Sequence, residues 1–240
     1  MRNREVKRLL VGLLFIFIIY VIKLDKDDAK YLNVGESYSY TVNEIPSYSG
    51  ENYVIIDNNT PTFDEEYKTS TSFEIYNELD SLGRCTGAFA NVSLDTMPDG
   101  ERGSIGSVKP TGWQTVKYDN IEGKYLYNRC HLIGWQLTNE NANKKNLITC
   151  TRQMNTGVML EYENKVAKYI KETGNHVLYR VTPIFEGDNL LAKGVLMEGY
   201  SVEDNGKGIS FKIFVYNVQK GIEINYATGE STLSKTSENK

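Results

Sequence analysis

The sequence predicts an α+β fold built around a central antiparallel sheet, on two observations. The predicted elements follow one another as strand, strand, loop, helix and then further strands, an order typical of such folds. The 240 residues include 17 tyrosines together with frequent Ile and Val, which favours β structure. With 40% hydrophobic residues the chain can form one medium-sized domain with its own core and an N-terminal appendage.

The N-terminus has the pattern of a signal peptide or a signal anchor. Four basic residues among the first eight precede the apolar run 9–22. As a helix this run rises only about 21 Å, less than the hydrocarbon core of about 30 Å, which favours a cleaved signal peptide. Lys23 and the residues after it contain no small-x-small cleavage site, which favours an uncleaved anchor. Both readings predict that the following domain is exported.

These features predict three parts of the chain. Residues 1–24 form the signal anchor or signal peptide, and the polar, charged residues 25–43 form a spacer. Residues 44–240 form the folded domain, which faces outward from the cell membrane or is secreted after cleavage.

In the first half of the domain, strand and turn signals alternate. Residues 53–56 have the apolar, β-branched composition of a strand, and 57–61 carry turn residues. Residues 73–82 are predicted as a helix that ends at Gly83, a usual helix stop. Residues 103–112 are rich in Gly, Ser and Pro and predict a loop. Two predicted strands, 113–118 and 124–127, then lead into the central motif.

The second half is predicted as a loop, a helix and three strands. Residues 139–146 are polar and rich in Asn, as in loops. A helix is predicted from Asn155 or Met159 to Glu172, closed by Thr173-Gly174-Asn175. The three strands are predicted at 177–185, 193–202 and 209–216.

The charge distribution is uneven along the chain. A net charge of −4 argues against a nucleic-acid partner, because such surfaces are usually basic. Residues 102–180, however, contain 12 Lys and Arg against 6 Asp and Glu, a net +6, so the remainder carries −10. The middle of the chain is therefore suited to a polyanionic partner.

The three cysteines, Cys85, Cys130 and Cys150, do not make a disulfide framework, because one of them must be unpaired within the chain. A single bridge is compatible with export. A cysteine hydrolase is disfavoured because Cys130 and His131 are neighbours in an extended segment and point to opposite faces. The Cys and His spacings also match no zinc-ligand pattern.

Two side chains stand out as candidates for chemistry. Of only two histidines, His131 lies between a predicted strand and the Asn-rich loop, whereas His176 opens a strand. In the predicted helix, Glu163 is the one carboxylate beside the apolar stripe. A carboxylate there needs a cation, a metal or a sheet arginine such as Arg180. Asn155 shares its face, about 12 Å away along the axis.

The motifs around these residues resemble those of the DNA/RNA non-specific endonucleases, in particular the bacterial DNA-entry nucleases. The motifs are Arg129-Cys130-His131, Asn146-Leu147-Ile148-Thr149, Asn155 and Glu163, with Asn155 nine positions after Asn146 and Glu163 eight positions after Asn155. The resemblance covers most of the chain after about residue 45, including 102–106, 109–113 and 179–187. The family's usual Asp-Arg-Gly-His is replaced by Asn128-Arg129-Cys130-His131.

The resemblance implies a ββα-metal (His-Me) finger within a larger sheet, and it makes 44–240 a nuclease domain. By position, His131 would be the general base, Asn155 the direct metal ligand, Asn146 its supporting neighbour and Glu163 the holder of a metal-bound water. For gripping the substrate phosphate, the arginines rank in the order Arg129, then Arg102 and Arg180.

The expected activity is metal-dependent hydrolysis of DNA, with RNA as a further candidate substrate and without marked sequence specificity. Mg²⁺ is the expected ion and Mn²⁺ the alternative, because hard ions prefer oxygen ligands and keep several waters. The competing hypothesis is a cell-surface module that binds DNA and has lost catalysis. Retention of His131, Asn146, Asn155 and Glu163 together favours an enzyme, because binding alone would not require them.

Overall fold

The computed structural model describes residues 42–234, and its centre is a six-stranded antiparallel sheet. The strands of that sheet lie in the order β1-β8-β7-β6-β3-β2, while β4 pairs with β5 and β9 with β10 as separate two-stranded units. The strands are β1 (Tyr53–Ile55), β2 (Phe73–Tyr76), β3 (Ala88–Val92), β4 (Tyr127–His131), β5 (Leu147–Thr151), β6 (Val177–Ile184), β7 (Gly194–Ser201), β8 (Ser210–Tyr216), β9 (Ile222–Ile224) and β10 (Ser231–Leu233). The predicted α+β fold with a central antiparallel sheet is confirmed.

Helices are few, and one of them dominates. They are α1 (Trp135–Thr138), α2 (Arg152–Met154) and α3 (Leu160–Thr173), with a π-helical turn, Asn155–Met159, joining α2 to α3. Single 3-10 turns lie at Val42–Glu44, Asp57–Asn59, Glu65–Tyr67 and Lys144–Asn146. Helix α3 ends at Gly174, whose φ of 74° is the left-handed conformation that favours glycine at a helix C-terminus.

The main core lies between one face of the sheet and the layer formed by α3 and the β4–β5 hairpin. Alternate residues of β7 and β8, among them Met197 and Ile213, point into this core together with Val166 and Ile170 of α3. The intervening residues Leu196 and Phe214 pack on the other face in a second cluster. Both faces of the central strands are therefore buried, which holds the sheet rigid beneath the helical layer.

A buried ionic network crosses the sheet on strands β6, β7 and β8. The Glu198 carboxylate is almost fully buried and accepts hydrogen bonds at 2.8 and 2.6 Å from the Nε and Nη2 of Arg180. The equally buried Lys212 ammonium lies 3.7 Å from Glu198 and 2.6 Å from Asp57. The charges offset each other's desolvation, so removing one would leave the remaining buried charge less well compensated.

The long, strongly patterned elements agree with the sequence predictions. The three strands predicted at 177–185, 193–202 and 209–216 correspond to β6, β7 and β8, and 53–56 to β1. The predicted helix is present as α3, preceded by α2 and the π turn.

The helix predicted over 73–82 is wrong. Residues Phe73–Tyr76 form strand β2, which pairs antiparallel with β3, and the Phe73 ring contacts that of Phe89 at 4.9 Å. Aromatic and β-branched residues fit a pleated surface, and the pairing with β3 outweighs the local helical pattern. Gly83 does not end a helix but lies in a turn held by the Asp80 carboxylate, which accepts from the N–H groups of Leu82 and Arg84.

The strands predicted at 113–118 and 124–127 are reduced to one isolated bridge, between Lys117 and Tyr125, and the regular strand begins only at Tyr127. Besides β2, which was predicted as a helix, strands β3, β5, β9 and β10 were not predicted. The predicted signal segment, residues 1–24, and most of the spacer lie outside the described residues. No helix within 42–234 has the length and apolar character needed to span a membrane.

The ionic network predicts a large difference between two conservative substitutions. Glu198→Gln should lower the free energy of unfolding of the full chain by about 3–5 kcal/mol, because it leaves Arg180 and Lys212 without their shared anion. The matched control Glu161→Gln removes an exposed pair with Lys165 and should cost below about 0.5 kcal/mol. Urea denaturation at pH 7 measures both values. Equal effects would contradict the structural role of the network.

Candidate active site

The β4–β5 hairpin carries the predicted motif and presents it to α3. The two strands pair antiparallel with His131 opposite Leu147, so His131 is the last residue of β4. A disulfide joins Cys130 to Cys150 across the hairpin, with a Cα–Cα distance of 5.9 Å that is usual for such bonds. Cys85 is free and buried, and burial raises the pKa of its thiol to about 12, so no cysteine is available as a nucleophile.

Asn146 fastens the segment that follows His131. Its side chain is fully buried, accepts from the Ile133 N–H at 2.9 Å and donates to the Ile133 carbonyl at 2.9 Å. The Leu132 N–H in turn donates to the Asn146 carbonyl at 2.8 Å. Three hydrogen bonds thus set the path of the chain from His131 into α1.

The His131 imidazole is held between two groups that define its tautomer. Its Nε2 lies 2.7 Å from the Asn141 carbonyl, which can only accept, so Nε2 carries the proton. Its Nδ1 lies 3.2 Å from Nη2 of Arg102, which can only donate, so Nδ1 carries a lone pair. Burial, and secondarily the Arg102 charge, lower the pKa of His131 below its ordinary value of 6.5. The ring is therefore a neutral base at pH 7.

His131 opens onto a cleft of about 280 Å³ whose other wall is formed by α1, the π turn and α3. The cleft is lined by Arg102, Arg129, His131, Gly134, Trp135, Gln136, Asn155, Thr156, Leu160 and Glu163. Five of the seven residues predicted from the sequence are thus brought together.

Glu163 lies at the inner end of the cleft with only 8% of its surface exposed. Burial raises the pKa of its carboxyl to about 7, and three groups oppose the shift: a hydrogen bond from the Gln136 side chain, the charge of Arg102 and a hydrogen bond from the Gly134 N–H. Arg180, which the sequence offered as a partner, is engaged by Glu198 instead. The carboxylate therefore faces the cleft and not the sheet arginine.

Asn155 is the first residue of the π turn. Such turns are rare and often occur at functional sites, because they shift the side-chain register of a helix. Within residues 42–234 the Asn155 side chain makes no hydrogen bond of its own, although it is partly exposed and lines the cleft. Its amide is thus available to a ligand.

Amide and carboxylate oxygens are the donors that hard divalent cations accept. Asn155 and Glu163 together with water positions would suit such an ion, and the buried Glu163 would gain a cation close to its charge. Among the described residues, no cluster of three or more His, Cys, Asp or Glu side chains that could hold a metal occurs. The donor set therefore fits a hard ion that keeps most of its waters.

Two predicted site residues lie outside the cleft. Asn146 is not among the residues that line the cleft; it is fully buried, where it holds the Ile133 backbone. Arg180 points from β6 into the ionic network with Glu198 and Thr62. This position disfavours the expected phosphate contact of Arg180, because moving its guanidinium into the cleft would break that network.

Arg129 lines the cleft, but its guanidinium is largely engaged. Its Nε and Nη2 donate to the carbonyls of Val108 and Gly106, the latter at 3.0 Å, and its plane stacks on Trp113 with the ring centroid at 3.9 Å. These contacts attach the loop 103–112 to the hairpin. Arg102 lines the same cleft, and its guanidinium contacts His131.

Sequence reasoning did not identify Gly134, Gln136 or Asn141. Asn141 acts through its backbone carbonyl, for which no side-chain signal exists. Gly134 and Gln136 belong to the segment that directly follows the His131 motif. Their short distance from His131 along the chain was the only sequence signal that could have pointed to them.

The chain matches known proteins over most of the described region. The sequence model of the DNA/RNA non-specific endonuclease family matches residues 64–203. A curated relative named deoxyribonuclease, from Streptococcus dysgalactiae subsp. equisimilis, is 28% identical over 206 aligned residues, which cover 68% of this chain and 62% of that protein. The chain therefore spans somewhat less than two thirds of the length of that relative.

Solved structures with the same fold include two streptococcal-type nucleases. NucA from Streptococcus agalactiae with a bound magnesium ion has a TM-score of 0.65 and 23% identity, with 75% of this chain and 85% of that chain covered. Sda1 nuclease with a bound zinc ion has a TM-score of 0.65 and 24% identity, with 76% and 97% covered. At these identities the likeness concerns the fold.

The Asn146 contacts predict a stability cost on truncation. Asn146→Ala should lower the free energy of unfolding by about 1–3 kcal/mol for each Ile133 backbone group left buried without a partner. Asn120→Ala, at an exposed turn position, serves as control and should change it by less than about 0.5 kcal/mol. Urea denaturation of the full chain compares the two. A loss of unfolding free energy for Asn146→Ala that is no larger than that of the control would refute the structural role of the Asn146 hydrogen bonds.

The His131 environment predicts its titration. The ring of His131 should titrate below pH 6.5, and Arg102→Met should raise its pKa, because the substitution removes a neighbouring positive charge and opens the ring to water. Heteronuclear NMR of the histidine rings over pH 4–8 measures this, and a His176→Gln variant assigns the signals of the only two histidines. A His131 pKa that stays the same after the Arg102 substitution would contradict the contact.

Proposed function

Because the chain belongs to the DNA/RNA non-specific endonuclease family, we propose that it is a metal-dependent endonuclease that hydrolyses DNA phosphodiester bonds in the cleft around His131. One observation carries this proposal: a neutral imidazole, whose Nδ1 carries a lone pair contacted by Arg102, opens onto the same cleft as the Asn155 amide and the buried Glu163 carboxylate. The cleft offers charge and hydrogen-bonding groups to a phosphate but no pattern for reading bases, which suits cleavage that follows the backbone.

His131 acts as the general base in this proposal. The Asn141 carbonyl fixes the proton on Nε2, so Nδ1 is the atom that takes the proton from the attacking water. The same carbonyl stabilises the imidazolium that forms. The low pKa of His131 keeps the ring unprotonated at neutral pH, so the base is ready before substrate binds.

Asn155 would hold the divalent cation directly, and Glu163 would hold a water of that cation. The ion, Mg²⁺ or Mn²⁺, supplies charge that stabilises the phosphate and the leaving 3′ oxygen when bound. The contribution of the chain is the pair of oxygen donors, one on the π turn and one on α3, which leave the remaining positions open. A cation at this place would also favour the ionised form of Glu163.

Arg102 contacts the phosphate in this proposal. Its guanidinium lies at the mouth of the cleft, where its Nη2 donates to His131 Nδ1. An incoming phosphate is a stronger acceptor for arginine than a neutral imidazole, because the hydrogen bond is then charge-assisted on both sides. Substrate binding would draw Arg102 to the phosphate and leave Nδ1 open to water.

The domain is proposed to act outside the cell, attached through residues 1–24 or released from them. The basic and apolar pattern at the N-terminus supports export, and so does the Cys130–Cys150 disulfide, because such bonds persist in oxidising compartments. Its substrate there would be environmental DNA, with RNA as a further candidate.

Nicking of supercoiled plasmid tests the proposed function. The full chain should nick with Mg²⁺, stop when EDTA is added and resume when Mg²⁺ is restored. His131→Gly should lower the rate by about 10²–10⁴-fold, because a general base contributes that much, and added imidazole should recover part of the loss. Asn155→Ala should require far more Mg²⁺ while still binding DNA.

His176→Gly is the matched control, since His176 is paired with Glu203 and does not line the cleft; it should nick like the parent. A His131→Gly protein as active as the parent would eliminate the proposed base. A folded parent that binds DNA and nicks under neither metal condition would establish a binding module in place of an enzyme.

A further inference from the structure

Gly134 occupies a position where the backbone gives no reason for a glycine. It precedes α1 with φ −61° and ψ 143°, an extended conformation that any residue adopts. It is also the N-cap of α1, where Ser, Thr, Asp and Asn are preferred because their side chains accept hydrogen bonds from the helix. The choice of glycine must come from its surroundings.

The reason is the closeness of Glu163. A Cβ placed on residue 134 would lie 2.7 Å from Cδ and 2.9 Å from Oε1 of Glu163, and closer still to Oε2. Real side chains do not approach a Cβ within 3.0 Å. The carboxylate therefore occupies the volume that any other residue at 134 would need, and from there it accepts a hydrogen bond from the Gly134 N–H.

The same short segment supplies a second contact. The Gln136 side chain donates to Glu163, and it is itself held by Asn164, whose side-chain oxygen accepts from Gln136 at 3.0 Å. Glu163 and Asn164 are neighbours on α3, so α1 and α3 are joined at the point where the acid enters the cleft. The Gly134–Gln136 segment starts three residues after His131, which ties the acid to the same hairpin as the base.

We propose that Gly134 is a positioning residue: the space left by its missing side chain fixes where the Glu163 carboxylate stands in the cleft. The catalytic consequence of this inference rests on the proposed function. The placement of the Glu163 carboxylate by Gly134 does not depend on it. Any side chain at 134 would push the carboxylate away from the Gly134 N–H and into the cleft, toward the position meant for the cation and its water.

Gly134→Ala separates this role from a role in folding. Alanine fits the backbone angles, and the atoms it displaces are the end of a flexible side chain, so the fold should survive with an unchanged urea midpoint. A displacement of about 1 Å at such a site can cost about 100-fold in rate. Shifting a supporting group also weakens metal binding by about 10- to 100-fold.

The experiment compares the full chain with Gly134→Ala, Glu163→Asp, the double variant and the control Gly100→Ala, whose added Cβ would meet no atom within 4 Å. Mg²⁺ affinity is measured by calorimetry, plasmid nicking gives kcat/KM, and crystal structures of the parent and Gly134→Ala locate the carboxylate. We expect Gly100→Ala to match the parent in all three. Gly134→Ala should show a displaced carboxylate, weaker Mg²⁺ binding and slower nicking.

The double variant gives the sharpest result. Aspartate is shorter by one methylene and withdraws from residue 134, so Glu163→Asp should lower Mg²⁺ affinity strongly in the parent but by less than about 3-fold once alanine is present, because the two residues share one contact.

Fully additive losses would overturn the inference, and so would an undisplaced carboxylate in Gly134→Ala. A displaced carboxylate with unchanged Mg²⁺ affinity and nicking also overturns it. A parent that neither binds Mg²⁺ nor nicks, with the carboxylate displaced in the variant, overturns the proposed function and supports the geometric part.

Discussion

The architecture of the cleft depends on keeping one carboxylate, Glu163, out of water. Desolvating an acid is costly unless hydrogen bonds and charge offset it, and the raised pKa of about 7 reflects that cost. The Gln136 side chain, the Arg102 charge and the Gly134 N–H provide the compensation. Gln136 and Gly134 lie on or directly before α1, and Arg102 lies in the loop before Gly103. The position of the Glu163 carboxylate on α3 therefore constrains how these segments lie relative to one another.

The base is held by a parallel set of constraints. Asn146 fastens the backbone beyond His131, while the Asn141 carbonyl orients the ring from the other side. Both residues belong to the connection between β4 and β5, and the Cys130–Cys150 disulfide joins the two strands. The central sheet contributes indirectly: strands β6, β7 and β8 form the floor on which α3 packs. A rigid support thus carries a site assembled from loops, a short hairpin and a helix terminus.

The sequence predicted those features that depend on local periodicity. The inward position of Glu163 followed from the 3.6-residue repeat of α3, and strands β6 to β8 followed from long apolar segments between turns. The grouping of His131, Asn155 and Glu163 followed from a family resemblance and agrees with their shared cleft. The helix was predicted to begin at Asn155 or Met159, and the π turn at Asn155–Met159 was not predicted because composition carries no signal for such turns.

Features that depend on distant partners could not be predicted. The segment 73–82 resembled a helix, and only pairing with β3 makes its first part a strand. Arg180 was expected to pair with Glu163 or to contact the phosphate, yet it pairs with Glu198 on the neighbouring strand. The family resemblance made Asn146 the supporting neighbour of the metal ligand, and in the structure its side-chain amide hydrogen-bonds the backbone of Ile133. Gly134 carried no functional signal in the sequence, because the reason for it is a carboxylate 29 positions along the chain.

The central proposal is that one divalent cation binds in the cleft between the π turn and α3. It would lie close to the scissile phosphate that is attacked by the water that His131 deprotonates. Anomalous diffraction from crystals of the protein soaked in Mn²⁺ tests it most directly. We expect a single strong peak bonded to the Asn155 side-chain oxygen, with a water between the ion and Glu163. A peak elsewhere on the protein, with Asn155 left without an ion at saturating Mn²⁺, would contradict it.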